Sequence, residues 1–183
     1  MNNFDIDNCL KTLQIIVDTR EQPSKRAEGR YKAFSAPYKR QTLSYGDYTY
    51  NFRLPSGEML FDNEQTIKGH VVIERKQDLV ELSQCFCQSR ERFEREFERA
   101  KENGATVYLL VEDASWENLI NGKYATKFNS KAFFASITAW MARYNMKIIF
   151  CKSETSGKMI KEILYRELKE RLQRGEYDGV YQT

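Results

Sequence analysis

Histidine is almost missing from this chain: His70 is the single one in 183 residues. The four cysteines, Cys9, Cys85, Cys87 and Cys151, fall in no metal-ligand or disulfide-framework spacing. Together these shortages argue against a structural zinc site and a disulfide scaffold. The chain also lacks a signal peptide and any apolar run long enough to cross a bilayer, so the expectation is a cytoplasmic, intracellular protein with reduced thiols and no membrane partner. Charge of one sign is in small excess only, at +3. A mild excess permits a nucleic-acid partner without requiring one, because a polyanion needs clustered cations more than a large total.

What the chain does have suits a globular core: 41% hydrophobic and 13% aromatic residues, over a length that fits one domain. Leu13–Val17 reads as a short buried strand that runs into Asp18. Residues 23–38 read as an irregular loop rich in basic side chains. Leu43–Leu54 alternates aromatic and polar residues as a strand does, and Pro55-Ser56-Gly57 supplies a turn. His70–Ile73 is a further strand, ending in Glu74-Arg75-Lys76. Glu74 and Lys76 then share a face while Arg75 points away.

The second half alternates helix and strand. A long helix is predicted over Leu79–Asn103, closed by Gly104, with Leu82, Phe86, Phe93, Phe97 and Ala100 on one face. Val107–Val111 is apolar throughout, which predicts a strand covered on both sides. A helix capped by Ser130 carries Phe134, Ile137, Met141 and Tyr144. Strand Lys147–Phe150 and helix Ser156–Arg174, stopping near Gly175, complete the order. Trp116 and Trp140 read as core or near-core anchors, and His70 as structural. The pattern predicts an α/β fold with a central mixed sheet flanked by helices, in a single domain over 1–183 with its core at about 13–172.

Three charged clusters stand beside these strands: Asp18-Thr19-Arg20-Glu21, Gly46-Asp47 and Glu74-Arg75-Lys76. Carboxylates and a lysine gathered this way suit a divalent metal and a phosphodiester, with acids to hold the metal and a cation to meet water or developing charge. Asp47…Glu74-x-Lys76 alone is a weak signal, since surface ion pairs at strand ends produce it by chance. With Arg75 between the last two and Asp18-x-Arg20-Glu21 upstream, chance becomes a poor account.

Gly46-Asp47…Glu74-Arg75-Lys76 resembles the signature of the XPF-type structure-specific nuclease domain, shared by XPF, Mus and compact phage or prokaryotic members. Val17–Glu21 is similar to that family's opening strand and acidic turn. The resemblance implies a restriction-endonuclease-like PD-(D/E)xK core and DNA cleavage near branch points or flaps, dependent on Mg2+ or Mn2+. It implies Asp18, Asp47 and Glu74 as metal acids, Glu21 as an assistant and Lys76 at the water. Arg20 and Arg75 would sit on the scissile phosphate or support the acids. It also implies a homodimer or a partner protein.

Two departures accompany it. The family aspartate four positions after the lysine is Val80 here, flanked by Asp78 and Glu81. The helix-hairpin-helix module of many relatives is expected to be missing. Arg90, Arg92 and Arg95, and Lys123, Lys127 and Lys131 around Tyr124 and Phe128, are candidate DNA contacts, against the plainer reading of solvated surface. A catalytically inactive scaffold subunit, and a resolvase or duplex-end nuclease, stay open as alternatives.

Overall fold

The computed structural model describes residues 1–61 and 70–178. Six strands form one mixed sheet: β1 (Gln14–Val17), β2 (Tyr38–Arg40), β3 (Tyr48–Asn51), β4 (Val71–Lys76), β5 (Thr106–Glu112) and β6 (Lys147–Cys151). Their spatial order is β2-β1-β3-β4-β5-β6. β3 runs antiparallel to both β1 and β4, while β2/β1, β4/β5 and β5/β6 are parallel.

Helices cover both faces. α1 (Asn3–Lys11), α2 (Lys25–Ala33) and α7 (Ser156–Gln173) lie on one side. α3 (Leu79–Cys87), α4 (Arg90–Glu102), α5 (Trp116–Ile120) and α6 (Ser130–Tyr144) lie on the other. None of the described helices is long and apolar enough to cross a membrane.

Strand alternation sorts the side chains between two cores. Val71, Ile73 and Leu110 enter the core under α1 and α7, while Val72, Leu109 and Val111 enter the one under α3, α4 and α6. The same parity carries on past the apolar residues. Glu74 and Lys76 follow Val72 to the α3/α4 side, and Arg75 and Glu112 follow Ile73 and Leu110 to the α2/α7 side.

Several sequence expectations need correction. Residues 23–38 are not an irregular loop: Ser24 caps α2 by accepting the Ala27 N–H at 3.0 Å, and β2 follows. α2 buries Ala27 and Arg30, so a cation occupies a place where periodicity looks for an apolar side chain. α1, capped by Asn2 through Asp5 N–H, was not foreseen. The strand expected over 43–54 is confined to Tyr48–Asn51, because Gly46 turns the chain with a φ of +74°. A Cβ at Gly46 would stand 2.9 Å from Cβ of Val72, so this close approach of loop to β4 also requires glycine.

The single helix over 79–103 is two, broken at Gln88–Ser89, although its predicted apolar face is buried as expected. Asn129 rather than Ser130 caps α6, and Phe133 rather than Phe134 points inward. Trp140 is a core residue in contact with Phe86, Phe93 and Phe97. His70 is buried, its Nε2 donating to the Tyr50 carbonyl at 2.9 Å. All four cysteines are free.

On the α2/α7 side, packing is tight enough to exclude one methyl group. A Cβ on Gly157 would lie 2.3 Å from the Arg30 carbonyl oxygen and 2.8 Å from Ala33 Cβ.

Candidate active site

A cleft of about 540 Å³ opens where β4 ends, between α2 and the α3–α4 pair. Its wall includes Glu21, Asp47, Glu74, Glu81 and Glu96 among the acids, and Arg20, Arg26, Arg30, Arg75, Lys76 and Arg92 among the cations. The parity of β4 explains the division of labour. Glu74 and Lys76 meet on one face, Lys76 Nζ donating to Glu74 Oε1 at 2.5 Å. Arg75 leaves from the other face toward Glu21 and Glu112.

Asp47, the residue just before β3, is held against β4 next to Glu74 and Lys76. Its N–H donates to the Ile73 carbonyl at 2.8 Å, and its Oδ2 accepts the Arg75 N–H at 2.7 Å. Burial, then the neighbouring Glu74, push the Asp47 carboxyl up to about 8. Burial also raises Glu74, with Lys76 opposing the rise. For Lys76, burial works against the charge, but Glu74 and Asp47 outweigh it and hold the ammonium above its ordinary value. A divalent cation placed between the two acids would offset both burial and crowding and displace the proton that Asp47 keeps near neutral pH.

Asp18 has a different surrounding from the one its motif implies. It is fully buried and accepts four hydrogen bonds: Arg20 N–H and Arg20 Nε at 2.7 Å on Oδ1, Arg20 Nη2 at 3.0 Å and Leu43 N–H at 2.7 Å on Oδ2. Its carboxylate does not line the cleft. Asp18 nevertheless lies beside Asp47, its N–H donating to the Asp47 carbonyl at 2.8 Å, and no three Asp, Glu, His or Cys side chains converge as a metal cage among the described residues. Asp18 instead fastens Arg20, whose Nη1 reaches to 3.9 Å from Glu96. The shortened donor set still fits Mg2+ or Mn2+. Asp47 Oδ1 and Glu74 Oε2 carry no hydrogen bond among the described residues, and Mg2+ commonly takes one or two carboxylates with water and phosphate oxygens.

The question raised by Val80 has a local answer. Asp78 caps α3 by accepting the Glu81 N–H at 2.8 Å, and Glu81 Oε2 accepts the Gln77 N–H at 2.7 Å. The pair forms a reciprocal cap that fixes the turn after Lys76.

Beside the acids lies a network that the sequence did not announce. Arg30 Nη1 donates to Glu21 Oε1 at 2.8 Å and to Tyr48 Oη at 3.2 Å, and Tyr48 Oη donates to Glu21 Oε1 at 3.1 Å. Arg30 Nε donates to Glu112 Oε1 at 3.1 Å. Arg30 was read as one member of a basic loop; only the Ser24 cap could have placed it on a helix. Glu112 carried no signal beyond ending an apolar strand.

Of the candidate DNA contacts, Arg92 lines the cleft, whereas Arg90 and Arg95 do not, and Arg95 lies 3.9 Å from Glu91. Lys123, Lys127 and Lys131 are exposed between and at the start of their helices, away from the cleft wall. The aromatics interleaved with them pack against Phe133, with centroids at 5.5 Å for Tyr124 and 5.0 Å for Phe128.

The ERCC4 domain model matches residues 17–163. A search among curated proteins gives no match. Among solved structures, XPF from Aeropyrum pernix matches with a TM-score of 0.58 and 16% identity, over 84% of this chain and 61% of that one. The same protein in complex with DNA matches with a TM-score of 0.58 and 16% identity, over 86% of this chain and 65% of that one. The chain thus spans less than two thirds of the length of either structure. At this identity the likeness is one of fold, and it is the restriction-endonuclease-like fold expected from the sequence. With most of its length inside the family model and its sheet and helices arranged as in XPF, this chain belongs to the ERCC4 domain family.

Proposed function

We propose that this protein is a divalent-metal-dependent endodeoxyribonuclease that hydrolyses phosphodiester bonds at branched or flapped DNA. The observation that carries the reading is the convergence of Asp47, Glu74 and Lys76 on one wall of an open cleft whose rim is rich in arginine. Asp47 and Glu74 would hold Mg2+ or Mn2+, which when bound supplies Lewis acidity and a more acidic water. Lys76 stays charged beside Glu74, so its role is to orient the attacking water and neutralise charge on the phosphate, not to take a proton. Arg75 and Arg92 face the cleft as phosphate contacts, and Glu21 holds Arg30 in place. Asp18 is assigned to the support of Arg20, not to the metal.

The choice of DNA is supported by the family and by the DNA named for its structural relative, and the choice of a branched one by the family resemblance alone. The test uses end-labelled splayed-arm, 3′-flap, Holliday-junction, duplex and single-stranded DNA, each with Mg2+, Mn2+ or EDTA. Cleavage that needs metal, favours a branched substrate and disappears in Asp47→Ala and Lys76→Ala is expected. Binding without cleavage in either metal would transfer the protein to the scaffold class. Preferential cutting of duplex ends or Holliday junctions would retain the chemistry and change the substrate.

A further inference from the structure

Glu112 is the last residue of β5 and has no exposed surface. A buried acid needs strong partners, and this one is bracketed by three guanidinium groups. Arg30 Nε lies 3.1 Å from Oε1; Arg75 Nη1 and Arg26 Nε lie 3.2 Å and 3.5 Å from Oε2. All three arginines line the cleft.

Their dependence on Glu112 is unequal. Arg26 also pairs with Asp113, at 2.5 Å, and Arg30 also donates to Glu21 and Tyr48. Arg75 makes one side-chain hydrogen bond among the described residues, and its acceptor is Glu112. Glu21 is 3.5 Å from Arg75 Nε, too poorly placed to form a hydrogen bond, and that buried N–H has no acceptor among the described residues. Nη2 likewise makes no hydrogen bond among the described residues. The sheet register explains why Glu112 takes the task. Arg75 is paired with Leu110, so Glu112 is two residues further along the same face, within diagonal reach.

We infer that Glu112 is a positioning residue for phosphodiester cleavage: it holds Arg75 by Nη1, leaves Nη2 to meet a phosphate in the cleft, and keeps that cation from folding back over Asp47. The inference rests on the nuclease reading above. The acid on β5 thereby fixes the direction of a cation on β4, and two more arginines stop the buried carboxylate from being left unpaired.

The experiment is a mutant cycle on whichever DNA the wild-type protein cuts best, with kcat, KM and melting temperature measured for wild type, E112Q, R75Q and E112Q/R75Q. Glutamine keeps the shape of the side chain and removes its charge. E112Q is expected to lower kcat by roughly 10- to 100-fold while KM changes by less than about threefold, the pattern of an interaction made in the transition state. The double variant should cut no more slowly than R75Q, because Glu112 acts through Arg75. Should E112Q not fold, E112Q/R26Q takes its place and is compared with R26Q; it drops one charge of each sign and keeps Arg75. The same loss of kcat is then expected. Wild-type kcat in E112Q, or a double variant slower than R75Q by the full E112Q factor, overturns the role of Glu112 and leaves the nuclease reading intact. A wild-type protein that cuts no DNA in either metal overturns both.

Discussion

The crowding of Asp47 by Glu74 yields a prediction about stability that does not require any substrate. Asp47→Asn keeps an oxygen to accept the Arg75 N–H and removes the charge. The carboxyl moves from 3.8 up to about 8, through burial first and Glu74 second. Between those values the folded chain keeps a proton that the unfolded chain has released. The unfolded state binds fewer protons, so stability falls as pH rises across this window. At about 1.36 kcal/mol per pH unit the full penalty near pH 7 is about 4 kcal/mol. Asp47 remains partly open to the cleft, and solvent screening reduces the expected value to on the order of 2–3 kcal/mol. For a domain of this length that corresponds to about 4–12 °C in melting temperature. Metal-free D47N should therefore melt above wild type at pH 8, and the difference should shrink toward zero as pH approaches 4. Mg2+ should raise the melting temperature of wild type much more than that of D47N. The assay is thermal unfolding followed by circular dichroism in EDTA and in Mg2+. A difference that does not change with pH, or a variant that melts lower at pH 8, would refute the reasoning.

Three further outcomes are expected. Burial lowers His70 to about 4, so the stability it contributes is present above 6.5 and is lost as pH falls from 6.5 toward 4, to a total of about 3 kcal/mol; urea midpoints of His70→Gln should be flatter than wild type over that interval. Gly46→Ala should cost about 1–3 kcal/mol, from a φ of +74° and the 2.9 Å approach to Val72, and calorimetry should show weaker Mg2+ binding as Asp47 is displaced. Asp18→Asn should destabilise by about 2–4 kcal/mol, since an amide cannot accept all four hydrogen bonds. Its Mg2+ affinity, measured below the unfolding range, should stay near wild type; a large loss would restore Asp18 to the metal site.

The sheet was legible because its central strands are apolar runs with charged ends. β4 and β5 are buried on both faces, and the i, i+2 rule alone puts Glu74 beside Lys76, as the structure does. What escaped is what periodicity does not encode. Arg30 sits on the buried face of α2 and satisfies its charge with acids from two distant segments, so neither its helix nor its burial follows from hydrophobic spacing. Glu112 is similar: its function depends on arginines 37, 82 and 86 positions away, and such pairing is a property of the tertiary structure. Asp18 shows a different limit. Its motif was recognised, but the sequence does not reveal that Arg20 and a loop amide consume both oxygens.

The glycine at the start of α7 gives this arrangement a remote control point. Gly157 lets the first turn of α7 rest directly on the Arg30 carbonyl and on Ala33, leaving no room for even one methyl group. α2 is thus clamped from behind by backbone, at the same residue whose side chain reaches forward to Glu21 and Glu112. Two arginines, Arg26 and Arg30, run from that helix to Glu112, so the seat of α2 sets where both cationic side chains enter the cleft. The side chain that is absent at position 157 thus sets how closely the outer layer of the fold can approach the helix that carries these two arginines.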